Sequence, residues 1–383
     1  MEGKKFLMIP GPTPVPERVL LALARHPMGH RTKEFSHIFR EVTDRLAWLH
    51  QTQGDVLTLA TSGTGAMEAA LINLLSPGDR VLCLVNGKFS ERWAKICLAY
   101  GMHVETISAP AGSAIDPKEV AEALRADTER TYRAVVVTHS ETSTGVLNDL
   151  ETIAGLAQEH GRALTIVDAV TSLGAVSVPM DQWGLDAIAS GSQKAYMIPP
   201  GLGFVAMSAR AWTAQKESRT PKFYLDLAKY RKSLQDDTTP FTPAIGLVLA
   251  VHESLKMLHD EGLDALFARH ERLRQGVRAG VRALKLTPFV QDEKAASPSI
   301  TAVATPNADK IRSHINKHYD IALAGGQDDL SGKIFRIGHL GFVSERDILS
   351  ALAALEGTMR ALGQDDFSHG AGVGAALQAM ADH

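Results

Sequence analysis

The sequence predicts an α/β protein built on a mostly parallel sheet, followed by a smaller second unit toward the C terminus. Short apolar, β-branched runs alternate with helix-length amphipathic stretches through the first two thirds of the chain, the pattern of strands joined by covering helices. Most of these runs are apolar almost throughout, as expected of parallel strands covered on both faces. After Pro243 the texture changes to longer helical patterns rich in Leu, Ala, Arg and Glu, which marks the second unit.

In chain order, the first unit has candidate strands at 81–85, 103–107, 134–138, 163–167, 187–190 and 203–207. Candidate helices lie between them at 66–75, 90–100, 117–126 and 149–160. The third has the clearest start: Asp116 is placed to cap it, Pro117 takes its first position and Glu119 its first turn. The second unit reads as helices at 244–261 and 263–284, a strand at 299–304, a helix from 307, a strand at 333–337 and a helix at 344–362. Residues 363–383 are rich in Gly and Ala with weak periodicity, so a partly disordered tail is expected there.

Composition removes several classes of function. With 40 Lys and Arg against 43 Asp and Glu, the net charge of -3 offers no broad attraction to nucleic acid or an anionic membrane. The two cysteines, Cys83 and Cys97, are too few for a disulfide framework and suit a reducing compartment. The apolar run at 6–9 is too short for a secretory signal, and no uncharged stretch is long enough to span a bilayer. A soluble cytoplasmic protein is therefore expected. No histidine pattern has metal-ligand spacing.

The chemistry concentrates in VDAVTS at 167–172 and SGSQKAYMIPPG at 190–201. Asp168 ends one strand-like run and Lys194 follows the next, so both side chains fall at the carboxyl end of the sheet, where open α/β sheets bind ligands. A lysine that forms a Schiff base with pyridoxal phosphate, with an acid against the pyridinium nitrogen, explains this pair chemically. The carboxylate keeps the ring nitrogen protonated, which makes the ring an electron sink. Upstream, ATSGTGAMEAALINLL at 60–75 is a small-residue turn running into a helix. Ser62, Gly63 and Thr64 would present N–H groups and hydroxyls to a dianion.

These motifs, together with PGPTPVPERV at 10–19, GHR at 29–31, NGKFSERW at 86–93, THSETSTGVL at 138–147 and FRIGHLG at 335–341, give the chain a resemblance to class V, fold-type I pyridoxal-phosphate aminotransferases. It is most similar to the alanine–glyoxylate and serine–glyoxylate aminotransferases. The resemblance implies a large domain at 15–255 with a seven-stranded, mostly parallel sheet, and a smaller α+β domain at 256–362. Residues 1–14 would pack on the small domain or on a partner subunit.

The resemblance further implies that Lys194 carries the cofactor and Asp168 pairs with its ring nitrogen. Val170 and Phe89 would pack on the two ring faces, and Thr142 would donate to the phenolic oxygen. Ser62, Gly63, Thr64 and Gln193 match phosphate-binding positions. Thr239 and Thr242 match a segment that reaches the phosphate from the neighbouring subunit of a homodimer, although Thr239 stands where mammalian relatives have a longer tyrosine. Arg336 would take the substrate carboxylate in a planar, two-bond grip, with Thr142, Gly11 and its Pro10 and Pro12 neighbours, His30 and Arg31 lining the substrate mouth.

The implied reaction is transfer of an amino group from alanine or serine to glyoxylate. Phosphoserine and aminoethylphosphonate aminotransferases are the nearest alternatives. Cysteine desulfurases of the same fold need a late cysteine, and none follows Cys97. A non-catalytic alternative is a redox partner of the kind labelled a soluble hydrogenase small subunit, but two cysteines cannot supply a four-thiolate cluster.

Overall fold

The computed structural model describes residues 5–382. Residues 1–4 of the expected N-terminal segment and His383 of the expected tail lie outside the described residues. A seven-stranded sheet runs in the order Asp55–Leu59, Gly203–Met207, Ala187–Gly191, Leu164–Asp168, Tyr132–Thr138, Arg80–Val85 and His103–Ser108. From Ala187–Gly191 to His103–Ser108 all pairings are parallel.

The strand Gly203–Met207 is antiparallel to both neighbours, the exception in the mostly parallel sheet. Its residues are all buried, so its unbroken apolar sequence reports cover on both faces and says nothing of direction. Two elements not anticipated complete this layer. Asp55–Leu59 forms one edge, and the helix Lys33–Leu49 lays Phe35, Phe39, Val42 and Leu46 on one face of the sheet, its first turn capped by the Thr32 hydroxyl, which accepts from the Phe35 N–H. The opposite face packs the helix Gly63–Leu74 and Trp93.

A second, five-stranded sheet has the order Phe6–Met8, Ile321–Gly325, Ile334–Gly338, Ile300–Ala304 and Thr287–Pro288. The N-terminal strand thus joins the C-terminal sheet, with Phe6 paired in parallel to Ile321. Helices Leu263–Ala283, Ala308–Tyr319 and Glu345–Ala361 supply the core of this layer.

The tail also differs from expectation: Ala371–Ala381 is a helix whose Ala376 and Met380 are buried. A Cβ on Gly276 of Leu263–Ala283 would come within 2.7 Å of the Met380 side chain. The small residues that made this stretch look featureless are what allow two helices to approach closely. Among the described residues, no helix is long and apolar enough to cross a membrane.

Candidate active site

Three turns converge at the carboxyl end of the large sheet: the one after Leu164–Asp168, the one after Ala187–Gly191, and the one that opens the helix Gly63–Leu74. They enclose a cavity of about 100 Å³ lined by Ser62, Gly63, Thr64, Phe89, Thr142, Asp168, Val170, Gln193 and Lys194. All of these are positions singled out in the sequence. Met67, Arg92 and Thr171 complete the lining and were not foreseen, because each lies on an element whose sequence reads as ordinary helix or turn.

Asp168 is 4% exposed. Among the described residues its carboxylate accepts one hydrogen bond, from the Val170 N–H at 2.8 Å. Burial pushes its carboxyl up to about 7, more than the Val170 donor and the Arg92 and Lys194 charges pull it down. The group is therefore poised between its two forms near neutral pH. A cation at hydrogen-bond distance lowers a carboxyl pKa by about 1 to 3, which is enough to ionise it.

Lys194 shows the complementary shift. Burial holds its amine down to about 8, with Asp168 opposing and the Arg336 and Arg92 charges adding to the depression. Nζ donates to the Pro10 carbonyl at 3.0 Å. A Cβ on Gly11 would stand 2.5 Å from Nζ, and Gly11 has φ +140, so close approach and backbone conformation both demand glycine.

At the start of Gly63–Leu74, the Ser62 hydroxyl accepts from the Gly65 N–H at 3.2 Å and so keeps its own proton for donation. Gly63 is packed against Val170, whose Cγ2 would lie 3.0 Å from an added Cβ. The Gln193 Oε1 is buried without a partner. A buried acid with a single donor, a lysine of lowered pKa and a helix start with unspent hydroxyl donors fit an aromatic ring that is cationic at one end and doubly anionic at the other. The residues present thus suit pyridoxal phosphate.

The Thr142 hydroxyl lies 2.8 Å from that of Thr171, which donates to the Ser140 carbonyl at 3.0 Å. With the Thr171 proton so placed, Thr142 must give its own proton to Thr171, and donation into the cavity requires that hydroxyl to rotate. Beneath Thr142, the fully buried Glu141 carboxylate accepts from the N–H groups of Phe89, Ser90 and Ser143 and from both serine hydroxyls. It pins the first turn of Lys88–Ala99 and with it the Phe89 ring.

Arg336 stands on the strand Ile334–Gly338 of the second sheet and is 6% exposed. Its Nε donates to the Gly325 carbonyl and its Nη1 to the Thr142 carbonyl, both at 2.9 Å. Arg336 is thereby tied to the cavity wall, although it does not line the cavity itself. Burial lowers its pKa to about 10, still far above neutrality.

Four singled-out residues lie elsewhere. Arg31 donates to the Thr238 hydroxyl and the Thr239 carbonyl, each at 2.9 Å, and the Thr238 hydroxyl donates to the His30 carbonyl. The 30–31 and 238–242 segments form one assembly, apart from the cavity lining of their own chain. Within it the Thr239 hydroxyl donates to the Phe241 carbonyl at 2.7 Å and is buried, while Thr242 is exposed.

A parallel sheet whose strand ends pair a depressed lysine with a buried acid beside an anion-receiving helix start defines the class of pyridoxal-phosphate enzymes. The chain belongs to the aminotransferase class-V family, which it matches over residues 6–338, and it is accordingly a pyridoxal-phosphate-dependent aminotransferase. It is 59% identical to the soluble hydrogenase 42 kDa subunit of Anabaena cylindrica, over the whole of both chains. It is 36% identical to the L-aspartate–glyoxylate aminotransferase of Paracoccus denitrificans, covering 99% of this chain and 96% of that one. Identity to the serine–glyoxylate aminotransferase of Arabidopsis thaliana is 34%, over 100% and 96%. Among solved structures, the ureidoglycine–glyoxylate aminotransferase of Bacillus subtilis matches with a TM-score of 0.93 at 27% identity, over 99% and 98% of the two chains.

Proposed function

We propose that this aminotransferase moves the amino group of a small amino acid, alanine or serine, to glyoxylate, giving glycine and a 2-oxo acid. The observation that supports this most is the meeting of Lys194, Asp168 and the helix start in one cavity, with Arg336 bonded to its wall. Glyoxylate is favoured as acceptor because it recurs in the relatives' names while their donors differ.

In this reading Lys194 would hold the cofactor covalently, Asp168 would pair with its ring nitrogen, Phe89 and Val170 would pack on the ring, and Ser62, Gly63, Thr64 and Gln193 would receive the phosphate. Pyridoxal phosphate, when bound, supplies a protonated ring that accepts electron density from the α-carbon of an amino acid. Arg336 turns its remaining Nη2 toward the substrate carboxylate and so orients the Cα–H bond. Once the incoming amino group has displaced it, the Lys194 amine, with a pKa held to about 8, would take the proton from that carbon and pass it to the carbon through which the cofactor had been held, because a base near ambient pH both accepts and releases protons readily.

Two copies of the chain complete the site: the exposed Thr242 serves the neighbouring subunit's phosphate, while Thr239 holds its own turn together. The hydrogenase name of the Anabaena relative does not change this reading, because a chain with two cysteines lacks the thiolates of an iron–sulfur cluster. Turnover with glyoxylate and each of alanine, serine, aspartate and phosphoserine tests the proposal. Glycine formed fastest from alanine or serine upholds it, whereas a preference for phosphoserine, or no glycine from any donor, defeats it.

A further inference from the structure

We propose that Arg92 is a positioning and charge-supplying residue for the cofactor phosphate: it fixes the Thr64 hydroxyl as a donor and brings the positive charge that the helix start alone cannot provide. This rests on the reading that pyridoxal phosphate occupies the Lys194 cavity with its phosphate at Gly63–Leu74.

Arg92 follows Phe89 by one turn of the helix Lys88–Ala99, so both project from the same face. Its guanidinium carbon lies 4.9 Å from the centre of the Phe89 ring, and its Nη1 donates to the Thr64 Oγ1 at 2.7 Å. The guanidinium thus lies over the ring while one nitrogen engages the first turn of Gly63–Leu74. Thr64 and Thr142 differ here in a telling way. Thr142 spends its proton on Thr171, whereas Thr64 accepts from a cation and keeps its O–H to donate into the cavity.

The charge count points the same way. A helix N terminus offers roughly half a positive charge, against about two negative charges on a phosphate monoester. Lys194 and Arg92 are the basic side chains lining the cavity, and Lys194 is committed to the carbonyl carbon. Among the described residues, no carboxylate forms an ion pair with Arg92, so its charge is available to a ligand. Its influence on both Asp168 and Lys194 agrees with a place between the ring and the phosphate.

The test uses the full chain stripped of cofactor and compares pyridoxal phosphate with pyridoxal, which lacks the phosphate, by absorbance titration. In Arg92→Gln the dissociation constant for pyridoxal phosphate should rise by about tenfold or more while that for pyridoxal stays within about twofold. Inorganic phosphate should also stop competing with the cofactor. Equal weakening of both ligands, or of neither, overturns the proposal, as does a variant altered only in the KM of a dicarboxylate donor. Arg92→Met removes the charge and the donors while keeping an extended side chain, and it decides the matter if Arg92→Gln does not fold. Selective weakening of pyridoxal phosphate supports the role; equal or absent weakening rejects it. Unaltered protein that binds the two ligands equally would refute the phosphate site itself, a result distinguishable from failure at Arg92 alone.

Discussion

The cavity of the seven-stranded sheet is lined by three turns of that layer together with Phe89 and Arg92 of Lys88–Ala99 and Thr142, whereas the five-stranded sheet reaches its wall through one buried guanidinium, that of Arg336. The first region is crowded with alternatives: hydroxyls, backbone N–H groups and a second arginine share the work. The second has no substitute. Losses in the crevice should therefore appear as loss of cofactor chemistry, and losses at Arg336 as loss of substrate binding with the cofactor retained.

The sharpest break is Lys194→Ala. Turnover should fall by about three orders of magnitude or more while circular dichroism stays unchanged, and undiminished transamination would end the assignment. Next, Arg336→Lys should raise KM for the amino donor and lower kcat/KM by about 100-fold, with the visible absorbance of the bound cofactor intact. An equal loss of absorbance would erase the distinction between the two regions.

Buried groups of opposite sign also make stability depend on pH. In the cofactor-free chain Asp168 titrates near 7 instead of its ordinary 3.8. The folded state then holds an extra proton between those values, so this contribution is lost as pH rises through about 7. Burial lowers His270 and His339 of the second unit to about 3, so their contribution is full above about 6.5 and is lost as pH falls. Burial likewise holds His50 and His139 of the large-sheet layer down to about 4, so four histidines against one carboxyl predict net destabilisation on acidification. Tm measured across this range should show it, and Asp168→Asn should deepen it.

Gly11→Ala puts a methyl group within 2.5 Å of the Lys194 amine at φ +140. A cost of about 1–3 kcal/mol in stability is expected, measurable by denaturant unfolding, with a shifted pH profile as Lys194 is displaced. The mildest comparison is between two threonines. Thr242→Val should weaken cofactor binding by a few-fold, about 1 kcal/mol, and Thr239→Val should leave it unchanged. Equal effects would mean that the inward turn of Thr239 is not its functional state.

Much of this was legible because periodicity and motif order report burial and turn chemistry. The helix Pro117–Ala126 has the bounds its capping residues announce, and Lys194 and Asp168 are placed by the strands before them. What was hidden depends on pairing across the chain. An apolar run cannot reveal that Gly203–Met207 runs antiparallel, and small residues at 371–381 do not disclose the helix they pack against. Arg92 looked like any exposed helical arginine, because the residue it serves belongs to another helix.

The pairing of Phe6–Met8 with Ile321–Gly325 carries a consequence for the order of assembly. Residues 6–12 are made long before residue 325, yet their strand has no partner until the chain has been made beyond that point. The Pro10 carbonyl that receives the Lys194 amine therefore arrives late, whereas the seven strands of the large sheet are complete by Met207. Closing so long a loop costs only a little more entropy than closing a shorter one, but it sets a sequence in time. Lys194 gains its Pro10 partner only once the strand Ile321–Gly325 exists, so a chain cut before it holds the crevice without that final contact.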